Sequence, residues 1–97
     1  MVMSAVHRKG DQTTGHSGWV VNVSDAGSPT VFANNIPVVR TGDHFATHPL
    51  PVAPPHDAVG AQGSPTVFVE NQAVMRIGDE TSCSDKIASG SPDCYCN

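Results

Sequence analysis

The chain is nearly without leucine: Leu50 stands alone among 97 residues, and Lys and Glu number two each. Helical bundles take their cores and faces from Leu, Ala, Glu and Lys, so this shortage excludes a helical architecture. Basic residues are scarce too. Five Lys and Arg face nine Asp and Glu, for a net charge of −4, and that leaves no cationic footprint for nucleic acid or an anionic lipid surface. No apolar run approaches the roughly 18 residues of a membrane-spanning helix. The opening MVMSAVHRKG lacks the apolar stretch of a signal peptide, so a soluble chain made in a cytosol is expected. Three cysteines, an odd number, form no closed disulfide framework. A domain of this size buries only roughly 60 to 65% of its unfolded surface, so its core is thin and a further staple is expected. With disulfides set aside, five His and three Cys point to a metal.

What is present favours strands. Thirteen Val, three Ile and seven Thr stand beside nine Gly and eight Pro, a mixture suited to short strands joined by tight turns. The reading is one all-β domain spanning 1–97.

The segment GSPTVFANNIPVVRTGD, residues 27–43, returns as GSPTVFVENQAVMRIGD, residues 63–79. Each copy is a supersecondary unit that cannot bury its own face alone. Thr-Val-Phe and Pro-Val-Val-Arg read as two short strands, with Asn34-Asn35 or Glu70-Asn71 as the hairpin turn between them. Asn accepts the left-handed conformation of such a turn, although the usual second-position Gly is absent. A third copy is split. Residues 90–97, GSPDCYCN, match its first half, and residues 5–11, AVHRKGD, match its second half. In this register Arg8, Arg40 and Arg76, all the arginines of the protein, fall three residues before Asp11, Asp43 and Asp79. A three-part ring closed by pairing of the N- and C-terminal strands leaves no orphan sheet edge.

The same alignment places Cys94 and Cys96 at the positions of Val31 and Ala33, so both are expected as small buried apolar side chains. His7 aligns with Val39 and Met75 and is expected as a packed or edge residue. The Arg-x-Gly-Asp sets suggest turn capping or structural ion pairs. No phosphate-binding glycine loop, His-Glu-x-x-His or Gly-x-Ser-x-Gly motif is present.

The connections after each Gly-Asp differ, and function is to be sought there. His16 and His48 lie five residues past their aspartates, and Cys83 four past its own. In a three-fold arrangement these positions converge at one end, as tetrahedral zinc requires. His56 is the fourth ligand chosen, because the Pro-rich loop from Pro49 to Pro55 is stiff and returns to that end. His44 is its rival, read as an ordinary exposed side chain.

Gly-Ser-Pro-Thr-Val-Phe, an Asn turn, and a short strand ending in Arg-x-Gly-Asp resemble the PAAR-repeat family over nearly the whole chain. The small residues before the Arg are commonly Pro-Ala-Ala in that family; here they are Pro37-Val38-Val39, Ala73-Val74-Met75 and Ala5-Val6-His7. The resemblance implies a small cone of three pseudo-three-fold β-hairpin repeats with a metal at its tip. Such cones cap the trimeric β-helical spike of contractile injection machines, the phage tail baseplate or the type VI secretion apparatus. The family's three-His, one-Cys zinc arrangement carries over onto His16, His48, His56 and Cys83, with iron as the alternative metal. It further implies one copy per spike trimer, no enzymatic activity and transient contact with the target membrane. The chain would be made in the bacterial cytoplasm and reside in the virion or secretion apparatus. The competing reading is a small zinc-dependent hydrolase or metal-handling protein. Against it stand a filled four-ligand site, which leaves no position open for water, and the lack of pocket-forming elements.

Overall fold

A computed structural model of the chain describes residues 3–15, 23–50 and 53–97, with the side chains of 47–50 and 53–57 outside that description. Among the described residues there is no helix. The strands are β1 (Ser4–Ala5), β2 (Phe32–Ala33), β3 (Ile36–Pro37), β4 (His44–Leu50), β5 (Ala53–Val59), β6 (Phe68–Val69), β7 (Gln72–Ala73) and β8 (Tyr95–Cys96). They form four antiparallel pairs: β1 with β8, β2 with β3, β4 with β5 and β6 with β7. The pairs β2–β3 and β6–β7 are the hairpins of the two intact sequence copies. The pair β1–β8 is their counterpart made from the two chain ends, with Ser4 opposite Cys96 and Ala5 opposite Tyr95.

Left-handed backbone makes the turns. Asn34 and Asn35 have φ of 56° and 64°, and Glu70 and Asn71 have φ of 50° and 66°, the pattern of a two-residue turn with both central residues at positive φ. That Asn serves here without Gly follows from its short polar side chain.

The centre of the fold is a triangle. Bridges pair Arg8 with Val38, Arg40 with Val74 and Val6 with Arg76, so the segments 6–8, 38–40 and 74–76 close on one another. The backbone N–H of His7 donates to Met75 O (2.9 Å), that of Met75 to Val39 O (2.9 Å), and that of Val39 to His7 O (3.0 Å). Strand alternation then divides the core. On one side of the triangle Val6, Val38 and Val74 pack with Ala33 and Cys96. On the other Val39 and Met75 pack with Phe45, Ala58 and Ile87.

Each repeat is pinned in the same way. The hydroxyl oxygens of Ser28, Ser64 and Ser91 each accept two backbone N–H groups, two and three residues on, at 2.8 to 3.2 Å. The preceding glycines lie against the triangle. A Cβ on Gly63 would come 2.8 Å from Val74 O and 2.9 Å from Ala73 Cβ, and one on Gly90 would come 2.6 Å from Val6 O. The Arg-x-Gly-Asp corners turn through Gly10, Gly42 and Gly78, with φ near +90°, as the third residue of a type II turn demands. In each, the guanidinium forks onto its aspartate: Arg40 Nε to Asp43 Oδ2 at 3.0 Å and Nη2 to Oδ1 at 2.8 Å. The paired carboxylate's hydrogen bonds raise the pKa of all three arginines above the ordinary value. These aspartates are therefore structural, as the sequence suggested.

Two sequence expectations are corrected. Cys96 is buried in the first core, but Cys94 is exposed, because it lies before the strand at the open edge of the recess above that cluster, as does its exposed equivalent Val31. The Pro-rich stretch is a hairpin of two seven-residue strands, β4–β5, instead of a loop. Its pairing shifts register on either side of His48. Prolines are tolerated at such irregular, two-stranded positions because few ladder N–H groups are demanded of them.

Candidate functional site

The connections gather on the side of the second core. Ser82 ties the loop after Asp79 to the end of β5: its N–H donates to Val59 O (2.8 Å), and its hydroxyl accepts the Val59 N–H (3.1 Å). The loop then folds on itself. Ser84, with φ of 68°, donates to Thr81 O, and the Thr81 N–H reaches Asp85 O at 2.8 Å. This leaves Cys83 half-buried against the core of Phe45, Ala58 and Ile87, with its Sγ 3.3 Å from Thr81 Oγ1. The first connection joins the same loop. Thr13 bridges Ile87, and the Thr14 N–H donates to Lys86 O at 2.8 Å.

Of the four residues read as metal ligands, Cys83 lies on this side. His48 and His56 stand directly opposite one another in the β4–β5 register, and their side chains lie outside the described residues, as does His16 altogether. Among the described residues no three His, Cys, Asp or Glu are grouped to hold a metal. The rival His44 has its Nδ1 2.7 Å from Asp25 Oδ1, so it is a half-exposed ion-pair partner instead of a lone exposed side chain. His7 is fully buried, as one of the two expected outcomes had it.

Asp85 bears on whether a cation suits this end. Its side chain is 1% exposed. Oδ1 accepts from Thr14 Oγ1 (3.2 Å) and the Lys86 N–H (3.0 Å), while buried Oδ2 has no partner. A buried carboxylate oxygen left bare is costly unless a cation or a ring N–H covers it. Cys83 and Asp85 both belong to the loop after Asp79, and thiolate, imidazole and carboxylate are the donor types that zinc and iron take. Nothing in the repeat alignment marks Asp85, since its loop has no counterpart in the other copies.

The opposite side carries a feature that the sequence reading passed over. Phe32, Phe68 and Tyr95 occupy one repeat position and are all about half exposed. Phe32 and Tyr95, with Val31, Val67 and Cys94, rim an apolar recess of about 190 Å³ floored by Val6, Val38 and Val74. The expected lack of any pocket therefore does not hold. The signal was available, because Tyr95 aligns with the two phenylalanines, yet attention fell on the flanking cysteines.

Polar clamps join adjacent repeats around this rim. Asn34 Oδ1 accepts from Arg8 Nη1 (3.2 Å) and Ser91 Oγ (2.6 Å). Glu70 takes the equivalent place in the next repeat, accepting from Ser28 Oγ (2.8 Å), Arg40 Nη1 (2.7 Å) and Thr30 Oγ1.

Comparison with curated proteins finds no match. The family model of the PAAR motif matches residues 9–89, a span that takes in both intact hairpins, two of the three Arg-Asp corners and all three connections. By that match, on an all-β fold closed by its own two ends, the chain belongs to the PAAR-motif family.

Proposed function

We propose that this protein is the tip that caps and sharpens the trimeric β-helical spike of a contractile injection machine, and that it helps the spike pierce a target cell envelope. Its family is a structural one associated with the spike tips of such systems. The observation that carries the reading is the exposure of an aromatic side chain at the same position of all three repeats, Phe32, Phe68 and Tyr95, on the face that also holds an apolar recess. It is a single chain whose exposed face repeats three times, so it meets all three chains of a true trimer at once. One copy binds per trimer. Contact is apolar and made by strand ends, scarcely by charge, and it buries more than roughly 1,000 Å² in an assembly that must survive insertion force. The assembly is a phage tail baseplate or a type VI secretion apparatus, reached from synthesis in the bacterial cytoplasm.

In this reading a zinc ion, with iron as the alternative, is held by His16, His48, His56 and Cys83. When bound it supplies a cross-link among three connections that the thin core alone holds weakly. Structural zinc contributes about 10 to 16 kcal/mol of apparent binding free energy in small domains near neutral pH. A filled four-ligand shell suits support and not hydrolysis.

Two substitutions at opposite ends test this. Phe68→Asp puts a charge among the three exposed aromatics, and spike-trimer affinity is expected to fall at least tenfold with metal content unchanged. Cys83→Ser is expected to lower metal content and melting temperature while the purified fold still docks. Unchanged trimer affinity in Phe68→Asp would refute the docking face, and unchanged metal content in Cys83→Ser would refute the ligand set.

A further inference from the structure

We propose that His7 is an acid-sensitive latch on the split repeat: the neutral ring holds the N-terminal segment to the C-terminal one, and protonation releases that seam.

The argument begins with where a histidine sits. His7 occupies the position of Val39 and Met75 in the central triangle, and all three side chains are 0% exposed. Its ring stacks on Phe45 with centroids 5.7 Å apart and planes 7° off parallel. Nδ1 lies 2.9 Å from Ser89 O. A carbonyl only accepts, so Nδ1 carries the proton and the neutral tautomer is fixed. Nε2 is then a bare acceptor, buried and without a partner. Protonating it places both an N–H and a charge in a core that offers no acceptor.

The groups around the ring do not offset this. Phe45 from β4, and Val39 and Met75 from the other sides of the triangle, bring no charge. The Ser89 carbonyl is already used. Asp11 and Arg8 act on the ring in opposite senses and are forked onto each other, with Arg8 Nε 2.9 Å from Asp11 Oδ2. Burial, the largest influence, pulls the His7 pKa below the ordinary 6.5.

The seam is also where the fold is least constrained. Segments 38–40 and 74–76 continue from hairpins closed by a covalent turn. Segment 6–8 has no covalent turn to its other half, which it reaches through the Val6 N–H to Cys94 O (3.0 Å), the Ser91 N–H to Val6 O (2.8 Å), the His7–Ser89 bond and a long Arg8 Nη2 to Gly90 O contact (3.5 Å), beside the short β1–β8 pair. Because the closed form requires neutral His7 and the open form does not, closure is complete above about pH 6.5. It weakens as pH falls below that value, by about tenfold in the opening equilibrium per pH unit, until the closed-form pKa is reached.

Three equivalent amides report on this. Val6, Val38 and Val74 donate to Cys94, Val31 and Val67 at 3.0, 3.1 and 3.1 Å. Hydrogen exchange is measured on the full metal-loaded chain at pH 7.5 and pH 5 and corrected for intrinsic rates. Protection at Val6 is expected to fall at least tenfold relative to Val38 and Val74. In His7→Met, which installs the residue of the second repeat, that relative fall should vanish. Acid loss of metal acts on both proteins alike and cancels between them. The latch is overturned if the three amides keep their ratio in the wild type, or if His7→Met retains the fall. Should His7→Met not fold, the His7 ring C–H resonance of the wild type decides: an ordinary titration near pH 6.5 overturns the latch, and one well below it upholds it.

Discussion

The side of the central triangle that carries the turns repeats itself bond for bond, whereas the side that carries the connections does not. On the first, Ser28, Ser64 and Ser91 make the same pair of hydrogen bonds, and Phe32, Phe68 and Tyr95 are equally exposed. On the second, one connection is a hairpin of two seven-residue strands, one a tight loop around Cys83, and one runs through Thr13 and Thr14 against Ile87 and Lys86. In the proposed function the difference separates two physical tasks. A surface that meets a three-fold partner must repeat in every copy, whereas the connections that would hold a single metal are under no such demand.

The largest effect is expected where the symmetric side is cut. Removing residues 1–8 takes away Val6, His7 and Arg8, one whole side of the triangle, along with β1. It leaves β8 as a bare edge and strands the backbone partners on Val39 and Met75. The loss is comparable with the entire stability of a small domain, about 5 to 15 kcal/mol. Circular dichroism should show no cooperative melt; a truncated chain that still melts in one sharp step would mean that the ring does not depend on its closure.

A smaller effect separates packing from backbone conformation within the repeat. The Cβ added by Gly63→Ala meets backbone and Cβ atoms at 2.8 to 3.0 Å, none of which can rotate away, so a loss of about 3 kcal/mol is expected. Gly78→Ala meets open space, but its φ is +93°. Only the conformational penalty applies, about 1 kcal/mol. Urea denaturation of both variants checks the order, and equal losses would show that the triangle yields to an added methyl.

The symmetric side was legible in the sequence because repetition is self-checking. An offset that aligns three arginines with three aspartates also fixes the strands, the turns and the pairing of the two ends. Legibility stopped where a position has no counterpart. The β4–β5 hairpin was hidden by its prolines, whose missing N–H groups argue against a regular strand yet are harmless in a two-stranded pair of shifting register. Asp85 was invisible, since its loop has no counterpart in the other copies and its unpartnered buried oxygen shows only in the fold. Cys94 misled because alignment with apolar Val31 was taken to mean burial, whereas that position is exposed in the first repeat too. For the metal, spacing selected His16 and His48, and the return of the Pro-rich stretch selected His56; the register sets His48 opposite His56, and His16 lies outside the described residues.

The smallest expected effect compares two residues of one turn. Glu70 and Asn71 both have positive φ, 50° and 66°, and both pay for it in principle, since a side chain crowds the left-handed backbone. Asn71 sits where such hairpins prefer Gly, so Asn71→Gly is expected to stabilise by about 0.5 kcal/mol, raising the melting temperature by a few degrees at this chain length. Glu70→Gly relieves the same crowding but should lower the melting temperature, because Glu70 also clamps Ser28, Thr30 and Arg40. The sign of that second change depends on charge. Hydrogen bonds from Thr30 and Ser28, aided by Arg40, hold the Glu70 carboxyl below the usual carboxylate range. Its clamp is therefore fully present above the unfolded pKa of about 4.3 and is lost as pH falls through the folded value. The deficit of Glu70→Gly should be plain at pH 7 and shrink as pH falls below about 4.3 and through the lower folded value. Melting curves for both variants across that range measure it; a deficit independent of pH would assign Glu70 a packing role and not an ionic one.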